Sequence, residues 1–346
     1  MDMLFTDEQE AMVASLGRYL ADALPLSTLH AADQPGAEAA SPASDRYWQG
    51  LAELGLFVLG LPEHAGGAGL GVADEVAVFR EAGRHLAAGP VLGTVIAAHT
   101  AVAAGAADIA GRIADGVLRA AVAFRQTGAD LEVGDRVSGT VRVHDLETAD
   151  VIVVVDGDAA ALVPAAITPH AVDAVDPTAP VTIGALDASA IHVVHDPGIV
   201  RHGRILQAAI FCGMAEATRD DSAAYARTRE QFGKPIGAFQ AVKHRCAEMA
   251  VRAEAAFFQT VYAALVEDED HDHPDFHAAA ALAVARDASE HNGADNVQNH
   301  GGMGFTAEAD AHLFVRRHLA LAHSFGSRRA VLETVAAAGD PAVATR

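Results

Sequence analysis

The apolar pattern of this sequence changes twice along the chain, and this change constrains the fold more than any single motif. Two long stretches carry alanine-rich apolar residues at helical spacing, and between them lies a stretch with the alternation typical of β-strands. Apolar residues make up 51% of the 346 residues, but aromatic residues only 5%. Alanine favours closely packed helices over sheets. The pattern therefore predicts a mainly α chain with a small middle β-domain, which lies between an N-terminal helical domain and a C-terminal helical bundle.

The same pattern divides the chain into three regions. We predict an N-terminal helical domain at residues 1–115, a reduced β-domain at residues 116–196 and a C-terminal helical bundle at residues 197–346. A chain of 346 residues also favours several packed units over a single core. In the first region, Thr6 is followed three residues later by Gln9, which is a capping box and predicts the start of a helix.

The middle region carries two kinds of strand signal. Val137, Val141 and Val143 alternate with polar or small residues, as in a strand with one buried face. The β-branched run Val151–Val155 is followed by the turn signal of residues 156–158. We expect these strands to form a small antiparallel sheet.

The charge of the chain limits its partners. The formal net charge is −22, which repels nucleic acid and anionic lipid, so we expect neither as a partner. Residues 201–252 nevertheless contain nine Arg or Lys and five Asp or Glu, a local net charge of +4. A basic segment in an acidic protein favours binding of an anionic ligand there, although a mixed-charge helical face would have the same composition. No run of ~20 apolar residues is present, so no membrane span is expected.

Two features bear on compartment and metal binding. Cys212 and Cys246 lack a CxxC partner and lie in helical sequence, so we expect two buried free thiols and a reducing, cytoplasmic location. The N-terminus has no basic region before an apolar core, and no signal peptide is expected. The acidic and histidine-rich run 267–273 lacks the i,i+4 histidine pair of a helical metal site. We expect a solvated loop there and no metal.

Two segments of the third region carry distinctive motifs. The first runs from Arg229 through Phe232 and Gly233 to a Phe-Gln pair at 239–240 and has the form R-x-x-F-G followed by F-Q. The second, residues 298–305, reads Gln-Asn-His-Gly-Gly-Met-Gly-Phe and has the form Q-x-x-G-G-x-G-F. Both segments resemble signatures of the acyl-CoA dehydrogenase family, and the glycine-rich stretch of residues 62–71 is similar to a loop of that family's first domain. The resemblance covers nearly the whole chain and is weakest between residues 105 and 195.

The resemblance implies a fold, a cofactor and a set of binding residues. The fold is an N-terminal helical domain, a β-domain and a C-terminal four-helix bundle, and the cofactor is FAD held at a subunit interface. A cation and close backbone N–H groups suit the pyrophosphate of FAD. The family's cofactor-binding roles fall here on Arg229, Phe232, Gln298, Gly301 and Gly302. The substrate implied is an acyl-CoA thioester.

The catalytic base of the family has no counterpart at either of its usual positions. The reaction removes the α-proton of an acyl-CoA, which requires a carboxylate base. The usual glutamate position corresponds to Phe325, and the alternative position, on the helix before R-x-x-F-G, corresponds to Gly203. No catalytic residue is therefore assigned. His202 and His323 lie beside these positions and titrate near neutral pH, but a chain with 18 histidines places some there by chance.

The family's flavin-ring loop, Thr-Glu-Pro-x-x-Gly-Ser-Asp, is also absent. Residues 124–130 stand in its place, and the only tryptophan, Trp48, lies outside this region. The leading hypothesis is therefore a shorter subunit without the base, paired with a longer homologous subunit that supplies the glutamate and the flavin-ring site. Bacterial heteromeric dehydrogenases of the steroid side-chain type are the members that this chain resembles. Two alternatives remain open: a self-sufficient homo-oligomeric flavin oxidase or monooxygenase on the same fold, and a non-catalytic scaffold.

Overall fold

The structure, a computed structural model, describes residues 3–32, 43–170 and 174–338. Helices come first, a sheet follows, and further helices complete the chain, which confirms the predicted fold class. The N-terminal helices are α1 (Asp7–Ala23), α2 (Leu26–Ala32), α3 (Asp45–Glu53), α4 (Val72–Arg84), α5 (Val91–Ala103) and α6 (Ala107–Ala114). The C-terminal helices are α7 (Pro197–Thr228), α8 (Gln240–Asp268), α9 (Pro274–His300), α10 (Ala311–Leu321) and α11 (Arg328–Ala337).

The helix starts follow local sequence signals. The side chain of Thr6 accepts a hydrogen bond from the backbone N–H of Gln9, and Oε1 of Gln9 accepts one from the backbone N–H of Thr6, so the predicted capping box is confirmed. Asp196 caps α7 by accepting from the N–H of Gly198, and proline stands at the first position of the helix. These signals act within a few residues, and the sequence therefore shows them directly.

The sheet is mixed and not antiparallel throughout, which corrects the prediction. Its strands are β1 (Ala120–Arg125), β2 (Leu131–Glu132), β3 (Arg136–His144), β4 (Val151–Asp156), β5 (Ala159–Pro164), β6 (Thr168–His170), β7 (Val181–Ser189) and β8 (His192–His195). The order is β6-β7-β3-β1-β4-β5-β8, with β2 beside β3. The strand β3 runs antiparallel to β1 on one side, and the chain then crosses to the other side of β1, so β4 pairs parallel with it.

Each face of the sheet has its own apolar core. Val122 and Val153 point into the core shared with the helices, where α5 packs on the sheet. Ile152 and Val154 point to the other face and pack with a second cluster that contains Val141. Because β4 is buried on both faces, its sequence is a continuous apolar run and not an alternating one.

The N-terminal helices are packed onto the bundle by a close crossing of α4 and α7. A Cβ at Gly83 would lie 2.1 Å from the carbonyl oxygen of Ile210, and one at Gly213 would lie 1.8 Å from that of Arg80. Both glycines are therefore required by the approach of the two backbones. The crossing fixes α4 against the first helix of the bundle.

One smaller expectation requires correction. Cys212 is buried, and burial raises the pKa of its thiol to about 12, but Cys246 is only half-buried. The described helices include none with the length and apolar character needed to cross a bilayer.

Candidate functional site

The end of α7 and the end of α9 border one open cavity of about 430 Å³. Arg229, Gly301 and Gly302 line it, so three of the five predicted cofactor-binding residues share one surface. Gln298 and Phe232 lie on the same two segments but outside the lining. Both side chains are exposed.

The position of Arg229 follows from the end of α7. The helix ends at Thr228, and the chain turns into a short hairpin of β9 (Glu230–Gln231) and β10 (Lys234–Pro235). Phe232 at its tip has a φ of +53° and is 91% exposed. Arg229 is exposed, and within the described residues its side chain has no hydrogen bond or ion pair. A guanidinium without a partner can bind an anionic group without breaking an existing contact.

The glycine turn after α9 provides open backbone. Gly301 takes a φ of +60° and a ψ of −135°, which a residue with a side chain rarely adopts. No atom lies within 4 Å of a Cβ placed on Gly301 or Gly302. A ligand can therefore approach this backbone closely. The sequence did not identify the stacked rings of Tyr225 and His300, 4.0 Å apart between centroids, which also line the cavity.

The structure divides eight of the nine basic residues of segment 201–252 into two groups, and the ninth, Arg204, is half-buried and donates to the carbonyl oxygen of Phe325. One group pairs with acidic residues: Arg201 with Glu267, Arg219 with Asp220, and both Arg245 and Arg252 with Asp295. The other group is exposed and has no ion pair within the described residues, and it comprises Arg227, Arg229, Lys234 and Lys243. The first group forms the mixed-charge helical face that the composition allowed, and the second is available to an anionic ligand.

A second cavity, of about 360 Å³, lies between the sheet and the bundle. The end of β1 and the turn after it form one wall, α7 contributes Val200 and Arg204, and the link between α10 and α11 contributes His323 and Phe325. Residues 124–128, part of the segment that replaces the family's flavin-ring loop, therefore border the same space as the vacated base position.

The two base positions predicted from the sequence are in direct contact. A Cβ on Gly203 would lie 1.9 Å from Cε1 of Phe325, so the aromatic ring rests on the glycine. Phe325 is 4% exposed, and its ring packs edge-on to Phe124 at 4.8 Å between centroids. An apolar contact therefore joins the two positions that the sequence predicts as the counterparts of the family's carboxylate.

The remaining wall of the second cavity is cationic. Arg125 pairs with Asp156, but the side chain of Arg142 makes no hydrogen bond or ion pair within the described residues. Arg204 donates only to the carbonyl oxygen of Phe325, at 3.4 Å. Burial lowers the pKa of both Arg142 and Arg204. Partial burial and the charge of Arg142 lower the pKa of His323. The cavity suits a ligand with negative charge and contains no carboxylate able to act as a base except the paired Asp156.

His202 does not line this cavity. Its Nε2 atom lies 2.6 Å from Oε2 of Glu75, and its ring centroid lies 4.2 Å from that of His99. The sequence had placed His202 beside a base position because of its neighbour Gly203. Consecutive residues of a helix point in different directions, so His202 faces Glu75 while Gly203 faces Phe325.

This arrangement of helices, mixed sheet and helical bundle defines the acyl-CoA dehydrogenase class of folds. The acyl-CoA dehydrogenase N-terminal domain matches residues 6–112, and the acyl-CoA dehydrogenase C-terminal domain matches residues 198–339. The chain therefore belongs to the acyl-CoA dehydrogenase family, whose typical cofactor is FAD.

Two curated relatives come from Mycobacterium tuberculosis. The acyl-CoA dehydrogenase FadE34 is 37% identical over 293 residues, which are 80% of this chain but only 39% of FadE34. The acyl-CoA dehydrogenase IpdE2 is 34% identical over 315 residues, which are 86% of this chain and 89% of IpdE2. The similarity to IpdE2 thus extends over nearly both chains.

Solved structures share the fold over nearly the whole chain. The ChsE4-ChsE5 complex from Mycobacterium tuberculosis has a TM-score of 0.83 and 24% identity, and the match covers 99% of this chain and 100% of that one. The Tcur3481-Tcur3483 steroid ACAD has a TM-score of 0.82 and 24% identity, with coverage of 98% and 99%. At this identity the likeness establishes the fold.

Proposed function

We propose that this chain is the subunit of a heteromeric acyl-CoA dehydrogenase that carries no catalytic base. The observation that carries the proposal is the contact between Phe325 and Gly203, because both positions at which the family places its carboxylate lack one. A partner chain of the same fold supplies the glutamate and the site for the flavin ring. The reaction is the α,β-dehydrogenation of an acyl-CoA thioester.

The residues at the first cavity fit the pyrophosphate of FAD. Arg229 offers an unpaired guanidinium, and Gly301 and Gly302 offer backbone with open space before it. Gln298 and Phe232, exposed on the same two segments, would contact the nucleotide or the partner subunit. All five residues lie at the surface, as a site that is completed by a second subunit requires.

The second cavity does not fit a flavin ring and a base in the family's arrangement. Phe325 covers Gly203, and the Arg142 and Arg204 guanidinium groups border the remaining space. Bound FAD would supply the acceptor for the hydride that leaves the β-carbon of the acyl group. The residues of this chain would bind and orient the cofactor from its phosphate side, and the partner would remove the proton.

The substrate class is proposed from similarity. Two structures of this fold carry the names of two chains each: ChsE4-ChsE5 is a complex, and Tcur3481-Tcur3483 is a steroid acyl-CoA dehydrogenase (ACAD). We propose an acyl-CoA with a steroid-type acyl group and a longer homologous partner subunit. This part of the proposal rests on likeness and not on residues that contact a substrate.

Flavin content tests the subunit role. Expressed alone, the chain should contain little FAD, because its second cavity offers no flavin-ring site. Co-expressed with a homologous base-bearing chain, it should form a yellow complex that oxidises an acyl-CoA. A preparation of this chain alone with about one FAD per chain would support the homo-oligomeric alternative and contradict the proposal.

Arg229 tests the phosphate site in the assembled complex. Arg229→Ala should weaken FAD retention on dilution by about 10- to 100-fold, which corresponds to ~1.5–3 kcal/mol for a charge-assisted contact. Arg229→Lys should recover only part of it, because lysine lacks the two-pronged geometry. Arg112→Ala, which removes an exposed arginine of α6, is the matched control and should leave flavin content unchanged.

A further inference from the structure

Three side chains from three helices meet where the N-terminal helices pack on the bundle. They are Glu75 on α4, His99 on α5 and His202 on α7. Oε1 of Glu75 lies 3.5 Å from Nε2 of His99, and Oε2 lies 2.6 Å from Nε2 of His202. One donor atom from each residue lies within 4.8 Å of the other two. We call this cluster the Glu75–His99–His202 triad.

The triad is enclosed but not sealed. The side chain of Glu75 is 1% exposed and that of His202 is 9% exposed, whereas His99 keeps 19% of its side chain in contact with solvent. His99 is therefore the member of the triad that is most open to solvent. The carboxylate itself has room only because residue 60 is glycine, since a Cβ there would lie 2.7 Å from Oε2 of Glu75.

The contacts within the triad satisfy its polar atoms only in part. Oε2 of Glu75 and Nε2 of His202 form a buried ion pair at 2.6 Å, but this contact lacks the angles of a good hydrogen bond. Buried polar atoms without a hydrogen bond are costly and need an explanation. A cation placed among the three donor atoms would satisfy both atoms at once.

The geometry is near that of a zinc-type site. Imidazole nitrogen and carboxylate oxygen lie about 2.0–2.2 Å from zinc, so neighbouring donor atoms of a tetrahedral site lie about 3.3 Å apart. The two observed separations, 3.5 and 2.6 Å, run to different oxygens of Glu75, and the three donor atoms lie within 4.8 Å of one another, so a tetrahedral site needs side-chain shifts of up to about 1.5 Å. Three protein ligands leave one position for a water molecule.

The charge around the triad favours a cation. The carboxylates of Glu267 and Asp268 also act on His202. Glu267 is offset by its ion pair with Arg201, and Asp268 accepts hydrogen bonds from the N–H groups at the start of α4. The carboxylate of Asp268 therefore adds negative charge beside the triad, in addition to the charge of Glu75 within it. Two imidazoles and one carboxylate suit zinc-class metals better than magnesium or calcium, which prefer oxygen ligands only.

We propose that Glu75, His99 and His202 bind one divalent cation of the zinc class, which links helices α4 and α5 to α7. The site is separate from the cavity that contains Phe325 and does not depend on the proposed dehydrogenase role. It lies outside the acidic and histidine-rich run of residues 267–273, for which the sequence predicts a solvated loop and no metal. Its ligands come from distant parts of the chain, so no spacing motif announces it.

Cobalt(II) is the probe, because tetrahedral Co²⁺ with nitrogen and oxygen ligands gives visible absorption bands and substitutes for Zn²⁺. The full chain is freed of metal by a chelator and titrated with Co²⁺. We expect about one Co²⁺ per chain and displacement of the bands by Zn²⁺. Zinc should also raise the thermal midpoint, since it binds the folded state. A full-length folded chain that gives no such bands in excess Co²⁺ would overturn the proposal.

Variants locate the site. His99→Gln is the preferred change because His99 is the most exposed ligand, and it should weaken Co²⁺ binding at least tenfold and abolish the zinc-dependent rise in melting temperature. His64→Gln, which changes an exposed histidine of the same domain, is the matched control and should bind as the unaltered chain does. If His99→Gln misfolds, Glu75→Gln serves in its place. Cobalt binding that survives a folded triad variant would show that the metal lies elsewhere.

Discussion

Phe325 has a backbone φ of +55°, and its ring lies against Gly203 of α7. A bulky residue in this left-handed region is uncommon and is maintained by the packing around it. The neighbouring Gly326 also has a positive φ, of +125°. The link between α10 and α11 is therefore shaped to place the ring of Phe325 on the glycine.

At the scale of single residues, a substitution at Gly203 tests this contact. Gly203→Ala adds a methyl group where the ring of Phe325 already lies, so it should destabilise the fold by about 1–3 kcal/mol through overpacking. Gly111→Ala is the matched control, because no atom lies within 4 Å of a Cβ at this glycine of α6 and alanine favours a helix. Urea unfolding measures both. Equal stability of the two variants would contradict the contact.

A glutamate at the position of Phe325 would restore only the carboxylate. Phe325→Glu should therefore not give dehydrogenase activity to this chain alone. A general base contributes about 10²–10⁴-fold, and only when the α-carbon and the hydride acceptor are held beside it. The measurement is steady-state oxidation of an acyl-CoA with an artificial electron acceptor, with Phe325→Leu as the apolar control. Turnover by the glutamate variant alone would show a complete flavin site and refute the subunit proposal.

At the scale of elements, Arg317 joins parts of all three regions. It lies on α10 and is buried, and its Nε donates to Oδ2 of Asp176 at 2.7 Å. Nη1 donates to the carbonyl oxygens of Leu86 and Ala87, each at 3.0 Å, and Nη2 donates to Oγ1 of Thr178 at 2.8 Å. The guanidinium thus satisfies backbone carbonyls that follow α4 and a carboxylate that precedes β7. Nothing local to α10 indicates this role.

Removal of Arg317 should therefore be costly. Arg317→Ala leaves the buried carboxylate of Asp176 unpaired, and we expect a loss of about 3–5 kcal/mol in the free energy of unfolding. Adding Asp176→Leu should restore part of that loss, because the unpaired charge is then absent. Arg328→Ala, which breaks an exposed pair with Asp287, should cost less than about 1 kcal/mol. Similar losses in the two single variants, measured by denaturant unfolding, would argue against a buried pair.

At the scale of the whole molecule, buried neutral histidines couple stability to pH. Burial lowers the pKa of His144 to about 3, and the positive charge of Arg142 acts in the same direction. Burial likewise lowers the pKa of His318 to about 4. His144 on β3 contacts Oγ of Ser324 at 3.3 Å and so links the sheet to the segment before α11. Protonation of either ring is disfavoured in the folded state.

The sign of the pH effect follows from these values. In the unfolded chain a histidine takes up a proton near pH 6.5, whereas folded His144 takes one up only near its pKa of about 3. Its contribution to stability is complete above about pH 6.5 and is lost as the pH falls from there towards 3. Between pH 7 and pH 5 the loss should be about 2 kcal/mol. His144→Gln should reduce this dependence in urea unfolding, and the exposed control His64→Gln should not.

The sequence by itself determined the parts of this protein that depend on neighbouring residues. The capping box at Thr6, the alternation of Val137, Val141 and Val143, and the apolar run of β4 each act over a few positions, and the helix–sheet–helix order follows from them. The motifs around Arg229 and Gly301 indicated the family for the same reason. The five cofactor-binding residues named there remain a prediction.

Only the tertiary structure decided which surfaces meet. The parallel pairing of β1 with β4, the ring of Phe325 on Gly203, and the separation of His202 from the neighbouring base position all depend on how distant segments pack. The Glu75–His99–His202 triad has the same origin, because its ligands come from three helices. Helical periodicity shows which face of each helix is buried, but it does not show which face of another helix lies opposite, since that choice is made by the packing of the whole core.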